Sequence, residues 1–571
     1  MNSVHTTLLF LLFSFGLNAQ INYTANDIVL PFDGFFRPAC NLGSYTSFTT
    51  ENLADLAAGN PDEGIRGVGV KALRPGMFEE YTAVAGFEEQ IPAYQHFEYL
   101  GMAEHTLIVG FPSDAKRDTT FYCGNQQSAL FANMYEPIWD NNNGTPINEN
   151  NYYADYLWKL ANNYKDYIRF WEIWNEPGFD YTGGTGWLPQ GVEGNWWDAD
   201  PDPCDYKLRA PIQHYVRLLR ISWEVIKSVD PDGYVVVSGA GYPAFLDAIL
   251  RNTDNPNGGE VTADFPQKGG AYFDVMGYHA YPHFDGSVQK WNQETQSFDY
   301  TRHSDGAAQG LLGTKDTFNL VLENHGYGSD FPEKLWMISE VNLPRKEFGD
   351  FMGSAQSQRN FVQKAVVTCM MNEIWQLQIY KLSEDTDFEN AYGEFDLMGM
   401  YKVLNANDLY YQEANDEGIA YKTVSDILYQ KIYDADRTAA LNLPDNIGGG
   451  AFKDEHGNYT YSLWAKTETD MSEAASTTYS FPSNFGIDNL VKREWDYGYS
   501  PNSETILPQN IQLTGSPIYL SERIFSITNA EGCAPLMIEL EGEDFADAAV
   551  YQWLIEGGTP VSSSLQNTSL T

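Results

Sequence analysis

Positive charge is scarce in this chain. It has 34 basic and 78 acidic side chains over 571 residues, a formal charge of −44. A field of that sign repels nucleic acid, anionic membrane surfaces and polyanionic substrates. Histidine is scarce too, with nine residues, and no His-Glu-x-x-His run or Cys/His cluster occurs. That excludes the usual zinc-hydrolase signatures, and neither a metal nor a cofactor is expected. The five cysteines are odd in number and their spacing is not metal-like. Cys123 and Cys204 both fall in loop-like stretches and form the expected pair. Cys369 falls in a helical run and reads as a small core residue.

Long apolar runs are also missing. The one at Leu8 to Phe15 is too short to span a bilayer. It is followed by Gly16-Leu17-Asn18-Ala19-Gln20 and reads as a signal peptide over residues 1–19, cleaved after Ala19, although no Lys or Arg precedes it. The expectation is a secreted or cell-surface protein with no membrane span in the mature chain. No period of 20–50 residues recurs, so a solenoid is excluded.

Aromatic residues, by contrast, are plentiful: 37 Tyr, 32 Phe and 14 Trp. Their faces match the C–H faces of pyranose sugars, and they fill cores equally well. From about residue 30 to 435, short apolar runs alternate with helical periodicity, which argues for an α/β fold with parallel strands. Eight strands are predicted. The first three are Phe35 to Leu42, Val68 to Leu73 and His105 to Phe111. A fourth starts at Arg169, and Tyr234 to Ser238 and Phe273 to His279 follow. Leu335 to Ser339 and Glu373 to Tyr380 complete the set. Helical stripes lie between them, such as Tyr153, Leu157, Leu160 and Tyr164, or Ile212, Val216, Leu219, Trp223 and Ile226. The pattern predicts a (β/α)₈ TIM barrel over residues 20–435. Residues 436–523 read as a small antiparallel β-domain, and 524–571 as part of a β-sandwich module.

Two strands end in a carboxylate. Arg169-Phe170-Trp171-Glu172-Ile173-Trp174-Asn175-Glu176-Pro177 is an apolar run stopped by proline. Leu335-Trp336-Met337-Ile338-Ser339-Glu340 is another such run. In a parallel barrel both ends face one mouth. Two carboxyl groups flanking a bond are what glycoside hydrolysis requires. Glu172 shares strand parity with Glu176 and points inward, where it needs a partner.

Trp-Glu-Ile-Trp-Asn-Glu-Pro resembles the acid/base signature of the retaining (β/α)₈ glycoside hydrolases of clan A. The resemblance covers roughly residues 30–435 and implies Glu176 as acid/base and Glu340 as nucleophile. It implies Arg74 beside the nucleophile and Asn175 on the sugar 2-OH. It also implies His279 and Tyr281 as the group that orients the nucleophile. Trp375 resembles the clan's barrel-mouth tryptophan, though a core position suits it almost as well. Ser238-Gly239-Ala240-Gly241 and Phe273 to His279 tilt the likeness toward family 39. Val341-Asn342 departs from it, because a tryptophan is expected after the nucleophile. Trp187, Trp196 and Trp197, in the loop after Glu176, either stack on sugars or pin that loop. Asp198-Ala199-Asp200-Pro201-Asp202 lacks the glycine and distal glutamate of an EF-hand loop, and a solvated acidic turn is favoured over calcium. Cys533-Ala534-Pro535-Leu536 and Tyr551-Gln552-Trp553 resemble the start of a PKD-type module.

The expected function is a secreted retaining glycoside hydrolase acting on β-linked plant or algal polysaccharide or its oligosaccharides. The alternative is a non-catalytic carbohydrate-binding or adhesion protein on the same scaffold.

Overall fold

The computed structural model describes residues 22–141, 146–284 and 288–522, with four short strands beyond them. The signal peptide expected over 1–19 lies outside the described residues. So does nearly all of the module expected over 524–571, where two short antiparallel strand pairs are seen, one joining Ile538–Glu541 to Asn567–Leu570.

Eight parallel strands form one sheet: β1 (Arg37–Asn41), β2 (Ala72–Leu73), β3 (His105–Val109), β4 (Ile168–Ile173), β5 (Tyr234–Ala240), β6 (Val275–Ala280), β7 (Leu335–Val341) and β8 (Ile374–Tyr380). Their spatial order is β2-β1-β8-β7-β6-β5-β4-β3. A parallel bridge from Gly76 to Ile108 spans the remaining gap between β2 and β3. The Ile108 N–H donates to the Pro75 carbonyl at 2.9 Å, and the Met77 N–H to the Ile108 carbonyl at 3.0 Å. The result is a nearly closed TIM barrel.

The strands read as continuous apolar runs because both faces are covered. The helical stripes turn inward as their spacing predicts. Tyr153, Leu157, Leu160 and Tyr164 are all buried on the helix Tyr152–Tyr164, as are Ile212, Val216, Leu219, Trp223 and Ile226 on Ile212–Val229. Each such side chain contributes about 1.5–3 kcal/mol relative to exposure.

After the barrel comes a six-stranded antiparallel sheet. It starts at Ile432–Tyr433 and includes Ile447–Lys453, Tyr459–Ala465 and Ile518–Glu522. A two-stranded sheet (Ser476–Tyr479 with Ile511–Thr514) packs on it around Tyr461, Leu463, Leu490 and Leu513. This β-domain is fastened to the barrel by polar contacts. The Trp464 indole donates to Asp305 at 2.7 Å, and Arg302 pairs with Asp470 at 2.8 Å. No helix among the described residues is long and apolar enough to cross a membrane.

The amino end of the barrel is plugged by Phe32, which packs on Phe170, Tyr234 and Trp375. This corrects the reading of Trp375 as a barrel-mouth residue. It is the second residue of β8, with its ring 5.0 Å from Phe32. Tyr380, at the strand's carboxyl end, is five positions further on. At roughly 3.3 Å per residue that is about 16 Å, the depth of the barrel.

Candidate active site

The site is assembled at the carboxyl ends of the strands. β4 delivers Asn175 and Glu176 through a sharp turn. Trp174 and Glu176 both adopt left-handed backbone, with φ of 77° and 49°. Such positions cost about 1–3 kcal/mol each and persist only where surroundings over-determine them. Here the Trp174 N–H donates to the Val109 carbonyl at 2.9 Å, and its ring stacks on Phe111 at 4.4 Å. Residue 110 must be glycine, because a Cβ there would lie 2.6 Å from the Trp174 ring.

Arg74, buried at the end of β2, is the hub. Its Nε and Nη2 donate to the two oxygens of Glu172 at 2.5 and 3.1 Å. Its Nη1 donates to Glu340 Oε1 at 2.7 Å and to Asn41 Oδ1 at 3.0 Å. Nη2 also reaches Asn175 Oδ1 at 2.8 Å. The inward-pointing Glu172 therefore has its partner, and the Ser238 hydroxyl adds a bond at 3.1 Å. Burial works against the Arg74 charge, but Glu172 and Glu340 outweigh it and raise its pKa. The guanidinium stays charged beside Glu340.

His279, from β6, stands between the two carboxylates. Its Nδ1 is 2.9 Å from Glu176 Oε1 and 3.5 Å from Glu340 Oε2. The Tyr281 hydroxyl donates to Glu340 Oε2 at 2.7 Å. Burial, then the Glu340 charge, keeps that phenol well above its usual pKa, so it remains a donor. Burial pushes His279 down, but Glu340 and Glu176 push it up and win. Burial pushes Glu176 up, but the His279 bond and the His279, Lys207 and Arg74 charges hold it below its usual value. Both shifts favour the proton on the His279 side of its bond to Glu176. Gly239 makes room for this ring, since a Cβ there would lie 2.6 Å from His279 Nε2.

One oxygen each of Glu176 and Glu340, with a His279 nitrogen, lie within 4.8 Å of one another. Such a trio could hold a cation, but Arg74 and His279 already supply positive charge to both carboxylates. A cleft of about 360 Å³ opens beside Glu340, lined by Asn41, Arg74, Phe111, Asn175 and Tyr380 among others.

Sequence reasoning missed three of these residues. Tyr380 ends β8 and holds the mouth position expected of Trp375. Its place at the end of the strand was a usable signal. Asn342 donates to the Tyr380 and Met398 carbonyls at 2.7 and 2.9 Å, so the departure after Glu340 serves to position β8. Lys207 donates to the Asn175 carbonyl at 2.9 Å and lies 4.0 Å from Glu176. It comes from an irregular loop that carries no sequence signal.

The three loop tryptophans divide. Trp187 is 57% exposed and meets Tyr242 edge-on at 5.1 Å. Trp197 is half-buried against the core. Trp196, at 1% exposure, is enclosed by Tyr206, Tyr242 and Phe245. It cannot stack on a sugar, which corrects its reading as a binding residue; its rings-on-rings packing pins the loop. The acidic turn also braces this loop. Asp198 accepts from the Gly191 N–H and Asn195, and Asp200 from Gln213 and Asn252. Cys123 and Cys204 are joined in a disulfide that ties the loops after β3 and β4 together.

No protein-family model and no curated protein sequence matches the chain. Among solved structures it is similar to a family 39 glycoside hydrolase from the gut symbiont Bacteroides cellulosilyticus WH2. The TM-score is 0.50 and the identity 14%, over 85% of this chain and 81% of that one. It is also similar to a conserved exported protein from Bacteroides fragilis (TM-score 0.48, 10% identity, 87% and 99% covered). A GH30 endoxylanase from Clostridium papyrosolvens C71 has a TM-score of 0.45 and 11% identity, with 86% and 97% covered. At such identities the likeness is one of fold, and function must be argued from the site. The shared fold is the TIM barrel, which the family 39 glycoside hydrolase also has.

Proposed function

We propose that this chain is a retaining glycoside hydrolase, exported from the cell, that cleaves β-glycosidic bonds of a neutral plant or algal polysaccharide or its oligosaccharides. The observation that carries the reading is the pair Glu176 and Glu340, delivered from the ends of β4 and β7 to within 4.8 Å across His279. Retaining enzymes need carboxyl groups only about 5–5.5 Å apart, whereas inversion leaves room for water at about 6.5–9.5 Å.

In the first step Glu340 attacks the anomeric carbon and forms a glycosyl-enzyme ester. Arg74 and Tyr281 donate to its two oxygens and hold it in place. Glu176 protonates the departing oxygen. That proton is relayed from His279, whose Nδ1 is already in hydrogen-bond reach. In the second step Glu176 takes a proton from water, and the resulting hydroxide displaces Glu340. Asn175, its Oδ1 fixed by Arg74, leaves its amide N–H₂ without a partner among the described residues and so open to the sugar 2-OH.

The test is the anomer first formed. Proton NMR of the fresh hydrolysate of a β-glycoside should show the β-hemiacetal before mutarotation. An α-product first would replace retention by inversion.

A pH dependence follows from the shared proton. His279 is raised above 6.5 and Glu176 is lowered below 4.5. As pH climbs through the raised His279 value the site loses its last acidic proton. The alkaline limb of kcat/KM therefore lies above pH 6.5. In His279→Asn the limb reports Glu176 alone and moves to lower pH. An unmoved limb would exclude His279 as the proton store.

A further inference from the structure

The loop after Glu176 presents three large rings to solvent. Phe179 is 45% exposed, Tyr181 52% and Trp187 57%. Clustered exposed aromatics are uncommon on a soluble surface and mark binding sites. These are held on a stiff frame. The Phe179 N–H donates to the Glu176 carbonyl at 3.1 Å, and the Lys207 N–H to the Phe179 carbonyl at 3.0 Å. The Tyr181 N–H donates to the Asp205 carbonyl at 2.8 Å. Buried Asp180, between the first two rings, accepts from Thr182, Gly184 and Gly186 N–H groups at 2.7, 3.1 and 2.9 Å and so shapes the turn that carries Trp187. Phe179 meets Tyr181 edge-on at 5.7 Å, and Arg209 lies over the Tyr181 ring. The Cys123–Cys204 disulfide pins the returning strand of the loop.

Position supplies the second argument. The cleft beside Glu340 is lined from β1, β2, β3 and β8, with Asn175 at the end of β4 and nothing from the loop beyond Glu176. In an eight-stranded ring β8 and β1 lie opposite β4 and β5. The exposed rings follow Glu176, and Trp187 packs on Tyr242 just after β5, so they belong to the β4–β5 side of the mouth, away from β8 and β1. Glu176 protonates the leaving oxygen, so its own loop borders the leaving group.

We propose that Phe179, Tyr181 and Trp187 form a platform for the leaving-group side of a neutral β-linked glycan, so that the enzyme cuts within chains. This rests on Glu176 as the acid/base. A sugar's C–H face gains on an aromatic ring without needing charge, and the chain's −44 charge disfavours an anionic glycan.

The test compares substrates with and without a leaving-group sugar. β-Glycosyl fluorides lack one; β-linked hexasaccharides of gluco, xylo, manno and galacto configuration have several. Phe179→Ala, Tyr181→Ala and Trp187→Ala should each lower kcat/KM on the hexasaccharide that is cleaved by about tenfold. Fluoride hydrolysis should change by less than about twofold. Wild-type protein should release internal fragments from the start. Equal losses on both substrates would mean a merely structural role, and stepwise release of single terminal sugars would exclude internal cutting; either overturns the proposal. Fluoride turnover that vanishes in Glu340→Ala reports the hydrolase reading separately. If nothing is turned over, that reading fails, and calorimetric binding of the hexasaccharides still decides the platform: unchanged affinity in the three variants overturns it.

Discussion

Glu340→Ala should lower turnover of an aryl β-glycoside by roughly 10⁴-fold or more, and sodium azide should restore a large part of it. The substitution removes the attacking oxygen and leaves a space bordered by Arg74 Nη1 and the Tyr281 hydroxyl, both of which donate to the carboxylate in the intact site. A small anion fits that space and faces the anomeric carbon from the same side. The product should be the α-glycosyl azide, because one displacement inverts the centre. The fold should survive, since Arg74 keeps its two bonds to Glu172. A folded variant that azide does not rescue would remove Glu340 as the nucleophile. A variant that keeps wild-type turnover would do the same for the whole two-carboxylate reading.

Arg74→Met should be the most destabilising single change in the site. It leaves Glu172 fully buried without its ion-pair partner. Breaking a buried pair from one side costs roughly 3–5 kcal/mol. Glu340 and Asn175 lose their common anchor in the same step, so activity should fall as well. Arg74→Lys should not rescue it, because an ammonium cannot bond both Glu172 oxygens and still reach Glu340. The double variant Arg74→Met/Glu172→Gln should regain much of the stability in urea unfolding but none of the activity. Full additivity of the two single effects would show that the pair is not coupled.

Much of the fold can be read from local pattern. The runs now seen as β3, β4, β5 and β7 are apolar and bounded by Gly, Pro or charged residues. The stripes of Tyr152–Tyr164 and Ile212–Val229 follow the 3.6-residue period. Glu176 and Glu340 stand out because a carboxylate ending a buried strand is costly without a purpose. Trp375 shows the limit of such reading. The sequence puts it on the eighth strand and leaves mouth and core both open, because composition does not say how far along a strand the mouth lies. The plug residue Phe32, distant in sequence, decided that. Trp196 and Trp187 lie nine residues apart in one loop, yet Tyr206, Tyr242 and Phe245 enclose the first and leave the second in solvent.

The sequence by itself determined the strand-and-helix alternation, the two carboxylate-bearing strand ends and the common direction in which they point, because each depends on neighbours within one element. Tertiary structure alone decided that Arg74 clamps Glu172 and Glu340 together, that His279 stands between Glu176 and Glu340, and that Tyr380 and Lys207 join them. Those facts arise where eight strand ends and their loops converge, and the groups that meet there are tens to hundreds of residues apart in the chain.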